Sequence, residues 1–179
     1  MQVFIHWADR TVLALGWVAR ASVLALVLLV AANVLLRYVF SWSPVGLQEV
    51  EWHLISPIAL LGMAYALHHR ADVRVDFLYD RFTPRTRAMV DVAGGLMTVG
   101  VGVFIAWLAV PYVIQSYEIG EGSPDPGGLP WRFALKAIIP LGFSLLAVQG
   151  LSDTLRALSR LLTAHQSGNA AASPTHGAA

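Results

Sequence analysis

The residues able to do chemistry in this 179-residue chain gather around one short stretch: Arg37, Glu49, Glu51, Trp52 and His53. Glu49 and His53 are four apart and share one face of a helix, whereas Glu51 points elsewhere and Trp52 sits between them. Arg37 is the natural counter-charge. An ionisable side chain in apolar surroundings is costly and is usually paired. The set therefore reads either as an ionic cluster fastening two helices together or as a proton or cation site. The fastening role is favoured, because charge near the headgroup level costs little. Lys136 lies one turn beyond Arg132, and its expected partner is Glu118 or Glu121 in an acidic loop. His53 and His68 could hold haem only with histidines on another apolar segment, and the other segments have none. There is no cysteine, which excludes disulfides, thiolate metal sites and cysteine nucleophiles. Neither G-x-x-x-x-G-K-[ST] nor G-x-G-x-x-G occurs, and no Ser/His/Asp set converges. Neither a cofactor nor an enzyme activity is expected.

The elements that position these groups follow from composition. The chain is 56% hydrophobic and only 13% charged, against about 25% charged in an ordinary soluble domain. Four segments approach the roughly 20 apolar residues needed to cross a bilayer: 11–36, 50–67, 89–114 and 133–151. The first is longer than the apolar region of a cleaved signal and is followed by no small-residue cleavage site, so it is kept as a permanent span. The predicted fold is all-α, an integral membrane four-helix bundle occupying 1–163. A polar, low-complexity tail over 164–179 is expected to be disordered and cytoplasmic.

Nine of the 12 basic residues (Arg10, Arg20, Arg70, Arg74, Arg81, Arg85, Arg87, Arg156 and Arg160) flank one side of these spans, which puts both termini in the cytoplasm. The net charge of +1 gives no basic surface for nucleic acid. Thr83-Pro84 reads as a helix cap followed by a first-turn proline. The segment 123–128 (SPDPGG) reads as a turn. Trp7, Trp17, Trp42, Trp52 and Trp131 are expected at the membrane interfaces, with Trp107 deeper. Gly94, Thr98 and Gly102, at a spacing of four, and Gly95 and Gly102, seven apart on nearly the same face, form a small-residue stripe. It suits packing inside the bundle or, alternatively, an interface with another membrane protein.

A family resemblance rests on an ordered series of motifs. Asn33-Val34-Leu35-Leu36-Arg37-Tyr38 closes the first span, and Gln48-Glu49-Val50-Glu51-Trp52-His53 opens the second. Leu61-Gly62-Met63-Ala64-Tyr65-Ala66-Leu67 ends it, followed by Val73-Arg74-Val75-Asp76. Then come Ser116, Glu121, Ser123, Gly127-Gly128-Leu129-Pro130, Lys136 and Pro140-Leu141-Gly142-Phe143. Over about 10–160 the chain resembles the small membrane subunit of a tripartite ATP-independent periplasmic (TRAP) transporter, the DctQ-like family. Asp72 stands where that family often has histidine.

The resemblance implies a non-enzymatic helper in the bacterial inner membrane. Its partners would be a large membrane subunit, a periplasmic solute-binding protein and membrane lipids. Transport would be ion-gradient-driven import of an organic acid or related solute. Arg37, Glu49, Glu51, Trp52, His53, Arg74, Asp76 and Lys136 would then serve assembly or docking. The competing readings are a small self-sufficient homodimeric exporter and a non-transport membrane assembly protein.

Overall fold

The computed structural model describes residues 1–71 and 81–171, with side chains through Leu162. Four helices follow in order: α1 (Gln2–Phe40), α2 (Val45–His68), α3 (Pro84–Glu118) and α4 (Arg132–Ala171). Each is long and apolar enough to cross a membrane. All four expected spans are present, and every helix outruns its apolar segment. Hydropathy marks only the part that lipid must surround, whereas the backbone stays hydrogen-bonded into the polar flanks. α4 continues past residue 164, where a disordered tail was expected to begin, as far as Ala171. Residues 172–179, the rest of that expected tail, lie outside the described residues.

Local chemistry sets the borders. α1 ends where Ser41 enters the left-handed region (φ 52°), a common helix stop. Arg37 sits in that last turn, where a cation favours the helix C-terminal carbonyls. At the start of α3 the Thr83 hydroxyl accepts the Thr86 N–H at 3.2 Å, and Pro84 occupies the first turn. Pro57, Pro111 and Pro140 lie within α2, α3 and α4. All six tryptophans are exposed.

Packing is organised around α4, which contacts the other three helices, while the extensive packing of α3 is against α4 alone. On α1 the buried residues are Ile5, Ala8, Val12, Gly16, Ala19 and Ser22. They recur in steps of three and four, a single helical stripe. Val12 and Ala19 meet Leu61 and Ala64 of α2 and Leu145 of α4 in the core. None of the buried residues of α1 lies beyond Ser22, so its second half presents apolar side chains outward.

The α3–α4 seam is built from small residues. A Cβ at Gly102 would stand 2.8 Å from the Phe143 carbonyl oxygen and 2.9 Å from the Ala147 Cβ, and one at Gly95 would strike the Thr154 hydroxyl. Gly150 of α4 faces Thr98 in turn. The stripe therefore works inside the bundle, as the first of its two readings held. Of the two spacings in the stripe, Gly95 and Gly102, seven apart, face α4, whereas Gly94 has nothing within 4 Å. An open apolar groove of about 480 Å³ runs between α2, α3 and α4, lined by Met63, Leu67, Met97, Val101 and Leu146 among others.

Candidate functional site

The α1–α2 and α3–α4 loops meet at one end of the bundle, the hairpin end, and the charged residues of α2 and α4 converge there. Glu49, in the first turns of α2, is only 5% exposed. A carboxylate is tolerated at that depth only if its lone pairs are satisfied. Glu49 accepts the Leu129 backbone N–H at 2.5 Å and the Ser123 hydroxyl. The Ser123 hydroxyl also accepts the Asp125 N–H at 3.1 Å, and the Ser123 N–H donates to the Leu129 carbonyl at 3.0 Å. The turn thus folds around the carboxylate. Gly127 holds φ 82°, and a Cβ on Gly128 would strike the Ser123 side chain and sit 2.8 Å from Glu49 Oε1. Glycine at these two positions is what lets the loop close over α2.

A second carboxylate closes the loop from the α3–α4 side. Glu121 accepts the Ser116 hydroxyl at 2.6 Å and is ion-paired with Lys136. The Lys136 ammonium lies 4.0 Å from the centre of the Tyr112 ring, a cation–π contact. The backbone repeats the closure. The Glu121 N–H donates to Ser116 O, and the Arg132 N–H donates to Glu121 O, both at 3.0 Å. Of the two expected partners for Lys136, Glu121 is the one used; Glu118 is exposed. The Lys136 hydrogen bond, reinforced by Ser116, holds the Glu121 carboxyl below the usual carboxylate range. The stability it contributes is present above the ordinary glutamate pKa and is lost as pH falls through the depressed one.

We expect Glu121→Lys and Lys136→Glu each to lower the melting temperature in detergent by several degrees, and the double exchange to recover much of the loss. Acid sensitivity should weaken in Lys136→Met. Single variants as stable as the parent would remove the pair from the account.

Arg37 is not the counter-charge of this cluster. It is exposed and pairs with no carboxylate among the described residues. The tie between α1 and α2 is instead Asn33 Nδ2 donating to Glu51 Oε1 at 2.9 Å. A neutral amide loses less hydration than a guanidinium on entering such a contact. His53 Nδ1–H donates to the Glu49 carbonyl at 2.7 Å, so it shares a face with Glu49 but is occupied by its own helix. Trp52 is 61% exposed. Arg74 and Asp76 lie outside the described residues.

A further ionic cluster, which charge counting alone did not join, lies at the opposite, terminal end. Arg156 of α4 pairs with Asp9 of α1 through both carboxylate oxygens, one at 2.6 Å. Its other terminal nitrogen is 3.5 Å from Asp153. Gln149 donates to Asp153 at 3.2 Å, and His68 of α2 stands 3.4 Å from Asp9 without hydrogen-bond alignment. One faint signal was available in the sequence. Asp9 lies four residues beyond Ile5, so a carboxylate borders an otherwise small and apolar stripe.

Comparison with known proteins puts the hairpin-end site in context. The family model described as "Tripartite ATP-independent periplasmic transporters, DctQ component" matches residues 26–160, a stretch that contains Asn33, Glu49, Glu51, Glu121, Ser123 and Lys136. The chain is 30% identical over 159 residues to the "Ectoine TRAP transporter small permease protein TeaB" of Halomonas elongata, covering 89% of this chain and 78% of that protein. It is 29% identical over 126 residues to an uncharacterized protein, y4mM, of Sinorhizobium fredii, covering 68% of this chain and 22% of that one.

Proposed function

Because this chain belongs to the DctQ component family of the tripartite ATP-independent periplasmic transporters, a multi-pass inner-membrane protein of the small permease type, we propose that it scaffolds a large membrane subunit. That subunit carries the transport chemistry. The solute is an organic acid or a related compound delivered by a periplasmic binding protein, and an ion gradient drives its import. Both termini face the cytoplasm, which puts the hairpin end with its Glu49- and Glu121-anchored loop on the periplasmic side. There Arg37 and Trp52, both exposed, are available to the binding protein or the large subunit, whereas Glu49, Glu51, His53 and Lys136 hold the surface they sit in. Arg74 and Asp76 are assigned to assembly on the cytoplasmic side.

The observation that carries this reading is the distribution of charge along the helices. Paired carboxylates and cations occupy the two ends of the bundle. The apolar stretches 54–66 of α2, 92–114 of α3 and 137–151 of α4 carry no aspartate, glutamate, lysine or arginine, and a coupling-ion or proton site built on a charged side chain near the bilayer midplane would need one there. The subunit therefore supports transport rather than performing it.

Tagged purification in mild detergent is expected to bring down one large hydrophobic subunit in fixed ratio. Proteoliposomes holding both should take up solute when the binding protein and an ion gradient are supplied, and those holding either membrane chain alone should not. Solute uptake by this chain alone, or purification without a large membrane partner from cells that express one, would overturn the assignment.

A further inference from the structure

Arg20 has no counterpart to the pairings found elsewhere in the helices. Arg156 has Asp9 and Asp153, Arg160 has Asp91, and Lys136 has Glu121. Arg20 is ion-paired with no carboxylate among the described residues, although it borders the uncharged apolar run 22–36. It lies 20 residues from the far end of α1, about 30 Å along the axis, the thickness of a hydrocarbon core. On the neighbouring helix it is level with Tyr65, three residues before α2 ends. These positions set it at the boundary between acyl chains and headgroups on the terminal-end side.

Its guanidinium is also held still. The carbon at its centre lies 4.1 Å from the centroid of the Trp17 ring and 5.0 Å from that of Tyr65, while Nε–H points back to the Gly16 carbonyl at 3.4 Å. Gly16 makes room for this arrangement, because a Cβ there would strike the Tyr65 ring. Neither terminal nitrogen has an acceptor among the described residues. A cation fixed by two aromatic faces on a lipid-facing surface, with two N–H edges open, is a preorganised fork for a tetrahedral oxyanion. Trp17 is exposed beside it, as at a headgroup belt. His69 packs on Tyr65 at 4.2 Å between ring centres, and exposed Arg70 follows it, adding donors and positive potential on the same side.

We infer that the Arg20–Trp17–Tyr65 clasp binds the phosphate of an anionic phospholipid in the leaflet at the terminal end of the bundle. The lipid supplies the counter-charge that the described residues do not, and its acyl chains lie along the outward apolar face of α1. The site is built into this chain and does not depend on any other subunit.

The full-length protein, purified from vesicles of phosphatidylethanolamine and phosphatidylglycerol and partly delipidated, is to be examined by native mass spectrometry. Phosphatidylglycerol should be retained preferentially over phosphatidylethanolamine. Arg20→Gln should lower that retention about fivefold, with Arg20→Lys intermediate because an ammonium cannot make the forked contact. Thermal unfolding in detergent checks that each variant is folded, and Arg10→Gln, a change at an exposed arginine outside the clasp, should leave retention unchanged. Excess inorganic phosphate should not displace the lipid; displacement would mark a free-anion site and overturn the lipid assignment. Equal retention by the parent and Arg20→Gln would overturn it outright. So would loss of the large subunit in Arg20→Gln without any change in lipid retention, which would give Arg20 a protein carboxylate as partner.

Discussion

Replacing Glu49 with alanine should free the 119–131 loop from α2. The carboxylate is the acceptor for both the Leu129 N–H and the Ser123 hydroxyl, and the space around it is too closed for water to substitute freely. Removing it leaves two donors facing a gap, the costly case for a buried polar group. We expect protease cleavage within 119–131 to accelerate on the order of tenfold, the scale of one lost charge-assisted hydrogen bond. The melting temperature should fall by several degrees. Glu49→Gln should be intermediate, because its amide oxygen can accept the Leu129 N–H and its NH2 can donate to the Ser123 hydroxyl oxygen, while the charge assistance is lost. Ser123→Ala removes only one contact and should be milder. If Glu49→Ala keeps the parental cleavage rate, the loop is held by its own turn bonds and the carboxylate is incidental.

Gly102→Leu should be the most disruptive change within the membrane. Its new side chain would meet the Phe143 carbonyl oxygen, which is backbone and cannot swing aside. Overpacking of this kind costs about 1–3 kcal/mol and sometimes more. Since α3 packs extensively on α4 alone among the described residues, little else holds it in place while the seam opens. Gly94→Leu, on the same helix but facing open space, is the matched control. It should stay within about 0.5 kcal/mol of the parent. Thermal unfolding in detergent, together with disulfide cross-linking between cysteines placed across the seam, distinguishes the two. Equal stability of the two variants would contradict the packing described for α3 and α4.

The four helices were legible because lipid imposes a single demand, a long apolar run, and the sequence meets it four times. The Thr83-Pro84 start of α3 was legible for a local reason, since cap and first-turn chemistry involve neighbours only. The Lys136–Glu121 pair could be anticipated because the adjoining loop holds few carboxylates. The partners of Glu49 could not. One is a backbone N–H and the other a serine hydroxyl, in a loop 80 and 74 residues away, and neither registers in a count of charges. Arg37 was the obvious partner by charge, yet the neutral Asn33 makes the contact to α2. The Asp9–Arg156 pair spans 147 residues, and both members look like ordinary polar flanks until the helices are laid side by side. The glycine stripe was visible in two spacings. Gly95 and Gly102, seven apart, two turns of a helix that winds around its partner, are the pair that meets α4, whereas Gly94 of the four-residue series faces open space.

The helices differ in length in a way that has a practical outcome. α1 and α4 have 39 and 40 residues, roughly 58–60 Å of helix, against about 36 Å for the 24 residues of α2. The surplus of both lies at the same end, where Asp9 and Arg156 clamp them to each other. At this end α1 and α4 therefore outrun α2 as a helical stalk, joined by the start of α3 through Asp91 and Arg160, and its length is set by helical backbone rather than by a slack linker. A fluorophore or affinity tag fused to the first residue would ride on that stalk and report its angle to the bilayer normal, so polarised fluorescence from such a fusion could follow the subunit while its transporter is turning over.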